Sequence, residues 1–577
     1  MRKTVIIIAF FSTLTAIAQT KLNIHQKDGA IIEYEVADID SIVFTPRLPA
    51  DTALSSIETG DVKVTNYGGW FESGFVEWSA VEGADNYHVY CKKASASDDA
   101  YQRIDPMLIR KYPTGIRADV LGLEAGDYHL KIIAVNSGRE KGSPSIVSIK
   151  AKAYNREGYA HFNNQGVGAY NDNGTLKENA VVLYVTEETK KSVSMEVFTS
   201  SNGTTQCTGI SNILKALQKG YETRPICIRL IGQITADGMT ESGDTNNLLV
   251  KASSSSMSID NVTIEGVGED ATCYGFGIRA IRAHNLEIRN LAIMLFNDDG
   301  IAFENNNKHI WIHNNDIFYG TAGSDADQAK GDGSIDLKDD SQYMTIAHNH
   351  FFDSGKMSLC GMKKETGPNY ISYHHNWFDH SDSRHPRIRT MSVHIYNNYY
   401  DGVSKYGVGV TYGGSAFVEA NYFRNVAKPM LSTGQGTDAK GDGTFSGETG
   451  GIIKSFNNYF TEKPSSFSYI TQKENATDFD VYEVSSRNET IPASYKTVAG
   501  GTSYHNFDTD NSLIYNYTPT EPSIVKTVVT SSAGRMNGGD FHWNFNNNVD
   551  DQSHTLNEEL MNAIRSYKTK LISCFDE

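Results

Sequence analysis

The chain has 577 residues, 39% hydrophobic and 21% charged, with a formal net charge of −17. That length calls for more than one core, and that composition excludes a disordered or membrane-embedded protein. The acidity excludes general binding to nucleic acid or anionic membranes, which needs a broadly basic face.

Residues 1–18 combine Arg2 and Lys3 with an apolar run from Val5 and small residues at Ala16 and Ala18. The pattern predicts a signal peptide cleaved near Ala18, and so a secreted, periplasmic or cell-surface protein. The run is too short for a membrane span, and no later segment reaches the ~18 apolar residues a span needs. No cysteine near Ala18 offers a lipid anchor. Cys91, Cys207, Cys227, Cys273, Cys360 and Cys574 form no C-x-x-C pair, which argues against a thiolate zinc site. One or two disulfides remain open in an oxidising compartment.

Residues 19–50 alternate polar and apolar side chains around Asp28-Gly29, which predicts a short β-hairpin without evident chemistry. Residues 55–153 hold strand-like runs such as GFVEWSAVEG, NYHVYCKK and DYHLKIIAVNS between turn-rich loops. Trp78, Tyr87, Val89, Tyr128, Ile132 and Ala134 fall where a small antiparallel β-sandwich places its core. The run LGLEAGDYHLKIIAV resembles a fibronectin type III domain, with Leu123 and Tyr128 placed like that fold's tyrosine corner. Such a domain is expected to be a spacer or binding module.

Residues 155–577 repeat. The segments IWIHNNDIF, MTIAHNHFF, ISYHHNWF, VHIYNNYY, AFVEANYF and IKSFNNYF align on Asp316, His350, Asn376, Asn398, Asn421 and Asn458. Weaker copies precede them at Gly266 and Asn290, and the successive gaps are 24, 26, 34, 26, 22, 23 and 37 residues. Each unit is a short strand, two polar positions, then an aromatic or aliphatic pair. Strand-only repeats of this length predict an all-β, right-handed parallel β-helix. Asn suits the bend because it tolerates left-handed backbone and its amide can bond the Asn stacked above. The longer gaps predict loops on particular coils, where sites tend to lie.

An open stack exposes unpaired strand edges. Two helices are expected to cover the ends. One lies within 207–219, with Ile210, Ile213, Leu214 and Leu217 on one face. The other lies at the C terminus, with Thr555 and Glu558 as a capping box before Leu556, Leu560 and Ile564.

Between the third and fifth copies the loops turn polar: NDDG at 297–300, DADQAKGDGSID at 325–336, Lys356, and RHPRIR at 384–389. Residues one coil apart lie side by side at about 4.8 Å, so these loops can converge. Asp298, Asp299, Asp332 and Asp336 offer the hard oxygen ligands that Ca²⁺ prefers, with Lys356, Arg384 and Arg389 lining the next coils. Alone, RHPRIR reads as a salt-bridge patch; beside the carboxylates it reads as a site. His374, His375, His380 and His385 raise the question of zinc, but two of them sit on the repeat's strand and bend, where a structural role is expected.

These residues resemble the polysaccharide lyase family 1 pectate lyases over most of 155–470. The marks are IWIHN near Trp311, Asp332-x-x-x-Asp336, GKMSL with Lys356, ISYHHNWF, Arg384-x-Pro386-x-x-Arg389, and the opening QGVGAYNDNGTLKENAVVLYVT at 165–186. The resemblance implies Ca²⁺-dependent β-elimination on polygalacturonate or pectin by a monomer. It makes Arg384 the base that removes the C5 proton, and it has Lys356 and Arg389 hold substrate carboxylates. Asp332 and Asp336, with Asp298 or Asp299, become Ca²⁺ ligands. The chain departs from the family where relatives carry W-x-D-H and it has Trp311-Ile312-His313-Asn314.

The residue types suit that chemistry. The C5 proton lies α to a carboxylate, and its removal builds charge that a cation and arginines can neutralise. At pH 8, roughly 1 arginine in 30,000 is neutral, a cost of about 6 kcal/mol at an ordinary pKa. Arg387, Arg389, Lys356 and Ca²⁺ beside Arg384 disfavour its charged form and recover part of that, so the rate should rise towards alkaline pH. Two other functions fit the sequence less well. A lyase for methyl-esterified pectin would act on a substrate that lacks the carboxylates to hold Ca²⁺, and a non-catalytic glycan-binding protein would bind without releasing an unsaturated product.

Overall fold

A computed structural model describes residues 21–25, 31–35, 60–323, 328–362, 365–440 and 447–575. The expected signal peptide and the Asp28-Gly29 turn lie outside these residues. The chain divides into two compact units, Met1–Ala53 and Leu54–Glu577. In the first, strands Lys21–His25 and Ile31–Glu35 pair antiparallel, Lys21 opposite Glu35.

The second unit opens with two antiparallel sheets. One contains Asn86–Lys93, Gln102–Arg103, Gly126–Asn136 and Arg139–Ala151, and the other contains Val64–Trp70, Ser73–Trp78, Ile109–Tyr112 and Gly115–Leu121. Trp78, Tyr87, Val89, Leu130, Ile132 and Val147 fill the core between them. Tyr128 Oη donates to the Glu124 carbonyl at 2.9 Å, closing the expected corner. The chain's far end returns here: Ser573–Cys574 adds an edge strand opposite Arg110 and Lys111. All six cysteines are free thiols.

From Val181 the chain winds into a parallel β-helix, whose three sheets have eleven, nine and eight strands among the described residues. The repeats read in the sequence are its coils. Inward columns such as Ile312, Ile346, Tyr373, Ile395 and Val418 stack in register on the first sheet, and Phe351, Phe378, Tyr400 and Phe423 do so on the second. Both columns bury their side chains in one continuous core, where apolar burial stabilises most strongly.

A two-residue bend joins the first sheet to the second on the coils from Ala283–Arg289 to Ile452–Phe456. The bend divides between neighbours the two tasks that the sequence reading gave to one asparagine. Asn314, His348, His375, Asn397, Ala420 and Asn457 take left-handed backbone, with φ between 50° and 54°. The residue after each is the ladder: Asn315, Asn349, Asn376, Asn398, Asn421 and Asn458, each amide donating to the next at 2.9–3.1 Å. The expected register is therefore corrected at Asp316 and His350. Those residues instead lie in the outward column that continues through Trp377, Tyr399 and Tyr422. Asn290 likewise lies beside Asn314, at the left-handed position.

The helix Ile210–Leu217 forms as expected and buries Ile210, Ile213, Leu214 and Leu217 against the first coils. The C-terminal helix spans Glu558–Ser566, and its cap is Asn557, whose side chain accepts from the Leu560 amide, rather than Thr555. It does not close the stack. Leu560, Met561 and Ile564 pack on Ala292, Met294, Phe318 and Phe352, the outer face of the second sheet.

Candidate active site

The connections from the second sheet to the third carry the polar residues, on four successive coils. Asp298 and Asp299 precede strand Ile301–Glu304, Asp332 precedes Ile335–Leu337, Lys356 precedes Leu359–Cys360, and Arg384 precedes Arg387–Arg389. Backbone hydrogen bonds set these loops side by side. Gly300 N donates to Gly333 O at 2.8 Å, Ser334 N to Lys356 O at 3.0 Å, and Ser358 N to Arg384 O at 2.8 Å.

Carboxylate oxygens of Asp298, Asp299 and Asp332 lie within 4.8 Å of one another. Gly333 permits the approach, since a Cβ there would meet Asp299 Oδ1 at 2.8 Å. Asp299 is buried, and its carboxyl is pushed well above the usual range by burial and then by Asp336. Its Oδ1 accepts from Gly333 N at 3.1 Å and its Oδ2 from Lys338 Nζ at 2.6 Å. Asp336 stands one step back from the trio: its Oδ1 accepts from Leu359 N at 2.9 Å and its Oδ2 lies 3.4 Å from Lys338 Nζ.

Lys356 lies on the coil between the carboxylates and Arg384, its Nζ 3.1 Å from Asp332 Oδ1. Arg384 is half-buried with left-handed backbone, φ 64°, and its guanidinium makes no ion pair or hydrogen bond among the described residues. His385 anchors that turn: its Nδ1 pairs with Tyr406 O at 3.0 Å, and its carbonyl accepts from Tyr400 Oη at 3.0 Å. Arg387 is held below the usual arginine range by burial and, among its neighbours, by Arg389 and Arg384. Arg389 is already engaged. Glu448 meets it at 2.8 Å and Arg387 at 3.2 Å, while Thr411 Oγ1 donates to the same carboxylate at 2.9 Å. These cations hold the Glu448 carboxyl down at about 2, against the opposing effect of its burial.

The structure thus brings Asp298, Asp299, Asp332, Lys356 and Arg384 to the leading edge of the third sheet, and sets Asp336 and Arg389 on its strands. Sequence reasoning missed Lys338 and Glu448. Lys338 had a signal, since it lies two residues after Asp336 and alternates to the same side of the strand. Glu448 had none, lying 59 residues from Arg389 beyond a glycine-rich stretch.

A sequence profile of pectate lyases matches residues 199–538, more than half of the chain. The chain belongs to the pectate lyase family. Among its relatives, the pectate trisaccharide-lyase of Bacillus licheniformis is 32% identical over 224 residues, 38% of this chain and 62% of that protein. Pectate lyase A of Emericella nidulans is 35% identical over 184 residues, 30% of this chain and 55% of that protein. The chain therefore spans less than two thirds of the length of either relative. Among solved structures, a pectate lyase of Bacillus sp. N165 in complex with trigalacturonate is similar at 22% identity and a TM-score of 0.46, covering 66% of this chain and 99% of that one.

Proposed function

We propose that this chain is an exported, Ca²⁺-dependent pectate lyase that cleaves polygalacturonate by β-elimination and leaves 4,5-unsaturated oligogalacturonides. The reading is carried by one juxtaposition: a carboxylate trio and a row of cations on the same connection of adjacent coils. Three carboxylates within 4.8 Å, all hard oxygen donors, fit Ca²⁺, whose ligands sit at about 2.3–2.6 Å. Asp299, which burial and Asp336 drive towards the protonated form, is a carboxylate that a divalent cation would stabilise as the anion. Asp298, Asp299 and Asp332 would hold the ion, with Asp336 fixing Lys338 behind them. When bound, Ca²⁺ would draw a uronate carboxylate to the acidic side and offset the charge that develops on it.

The chain's own residues account for the rest. Lys356 and Arg389 pair with substrate carboxylates and fix the ring, while Arg384 takes the C5 proton. The C5–H electron pair becomes the C4–C5 double bond, the C4–O4 bond breaks, and the departing O4 is protonated from solvent. Arg384→Lys should lower kcat at least ~100-fold, the scale of a lost general base, while oligogalacturonate binding stays within about tenfold. The rate, followed by ultraviolet absorbance of the unsaturated product with and without Ca²⁺, should rise towards alkaline pH. A lysine variant of near-wild-type rate, or a flat profile from about pH 6 to pH 10, would overturn Arg384 as the base.

A further inference from the structure

Away from the carboxylates, at the bend between the first and second sheets, the ring nitrogens of His348, His374 and His375 lie within 4.8 Å of one another. His348 and His375 are the left-handed bend residues of neighbouring coils, and their rings stack at 4.8 Å between centroids, 13° from parallel. His374 Nε2 is 3.0 Å from the Glu157 carbonyl oxygen. A carbonyl only accepts, so Nε2 carries the hydrogen of His374 and its Nδ1 presents a lone pair. That lone pair faces His375 Nδ1 at 3.0 Å. Both ring nitrogens of His348 are buried and without a hydrogen-bond partner among the described residues.

A hydrogen bond from His375 to His374 would satisfy that pair and nothing more. It leaves the donor and acceptor of His348 unmet, and a buried polar group without a partner is costly. A single cation between the three nitrogens resolves the arrangement once the stacked His348 and His375 rings turn to aim their in-plane lone pairs at it, since imidazole binds zinc-class ions at about 2.0–2.1 Å. The hydrogen bond from His374 Nε2 to a backbone carbonyl is the outer-shell contact that orients a ligating histidine and fixes its tautomer.

We propose that His348, His374 and His375 bind one divalent transition-metal ion of the zinc class, as a structural site separate from the Ca²⁺ carboxylates. Three neutral imidazoles match borderline ions such as Zn²⁺ and not Ca²⁺, which takes oxygen. Burial keeps all three histidines neutral and ready to ligate: His375 is pushed down to about 4, and His348 and His374 well below their ordinary value. The ion would pin two adjacent coil bends to the crossing segment at Glu157. The Glu157 carboxylate in turn accepts from Tyr396 Oη at 2.8 Å and from the Thr518 amide at 2.9 Å. The site would therefore tie the middle coils to the segment that leads into the β-helix and, through Glu157, to the C-terminal segment.

The test uses the full chain, stripped with chelator and held in saturating Ca²⁺, with Co²⁺ as the spectroscopic probe. One equivalent of Co²⁺ should give the visible d–d bands of a tetrahedral site, and Zn²⁺ should displace it. The bands should vanish in His348→Gln and in His375→Asn, with folding checked by circular dichroism, and persist in Asp332→Asn. Zn²⁺ should raise the melting temperature of the wild type. Three results would overturn the proposal: no tetrahedral bands from the wild-type chain at stoichiometric Co²⁺, bands retained in both folded histidine variants, or bands lost only in Asp332→Asn. The wild-type titration decides even if neither histidine variant folds.

Discussion

At the scale of single residues, Arg389 shows how a site motif can be spelled in sequence and yet be engaged in the fold. The sequence offers Arg389 to a substrate carboxylate, and the structure already gives it one, from Glu448. Thr411 steadies that carboxylate and Arg387 shares it, so Glu448 occupies the arginine pair much as a uronate carboxylate would. Substrate engaging Arg389 must displace or share this contact. Glu448→Gln keeps the shape and removes the charge. It should lower KM for polygalacturonate by ~5-fold, about 1 kcal/mol and the scale of one net hydrogen bond, with kcat changed less than about twofold. Initial-rate kinetics at fixed Ca²⁺ measure both. A raised KM would mean instead that Glu448 orients Arg389 for substrate and does not compete. The motif was legible because Arg384 and Arg389 lie within six residues of each other. Glu448 was not, because only the coiling of the chain brings it there.

At the scale of the element, a coil is defined by its bend. The period, the strand and the two polar bend positions were all readable, since side-chain alternation and the αL preference of Asn act locally. The register was misread at Asp316 and His350 because IWIHNNDIF and MTIAHNHFF each leave more than one polar residue near the bend. Hydrogen bonding picks the right one, since only asparagine both donates and accepts within the ladder. The role of the C-terminal helix was misjudged for another reason: an apolar face says that a helix is covered, not which surface covers it. The ladder's importance can be measured at Asn398. Its amide donates to Tyr373 O at 3.0 Å and to Asn421 Oδ1 at 3.0 Å, and its oxygen accepts from the Asn376 amide and backbone at 2.9 and 3.0 Å. Asn398→Ala strands several of these buried groups, each worth about 1–3 kcal/mol. Urea unfolding should therefore show a loss of ~3–5 kcal/mol without a change in the slope of free energy against urea. A loss below about 1 kcal/mol would show that the coils hold their register by apolar stacking alone.

At the scale of the whole molecule, the sandwich read from the sequence as a spacer or binding module, yet the structure joins it to the β-helix through buried charge. Arg110 is fully buried: it ion-pairs with Asp119, donates to the Val267 carbonyl of the β-helix at 2.8 Å, and lies 3.7 Å from Asp270. Arg117 reaches Glu269 at 2.9 Å, Arg156 holds the buried Glu72 at 3.0 Å, and the chain's last strand crosses back into the sandwich sheet. None of this is legible in a linear reading, because each partner looks like an ordinary surface charge until the two bodies meet. A charge this deeply buried matters most when its partner is lost, since removing one side of a buried pair costs about 3–5 kcal/mol. Arg110→Ala leaves Asp119 with only Arg117 and leaves the Val267 carbonyl without its donor, so the loss falls on both bodies together. Calorimetry should show one cooperative transition in the wild type. In the variant, either that single transition should move down or the sandwich should separate as an earlier-melting shoulder, with β-elimination activity at low temperature within about twofold of wild type. An unchanged melting profile would mean that the buried arginine fills space without coupling the two bodies, and that the sandwich is a passenger after all.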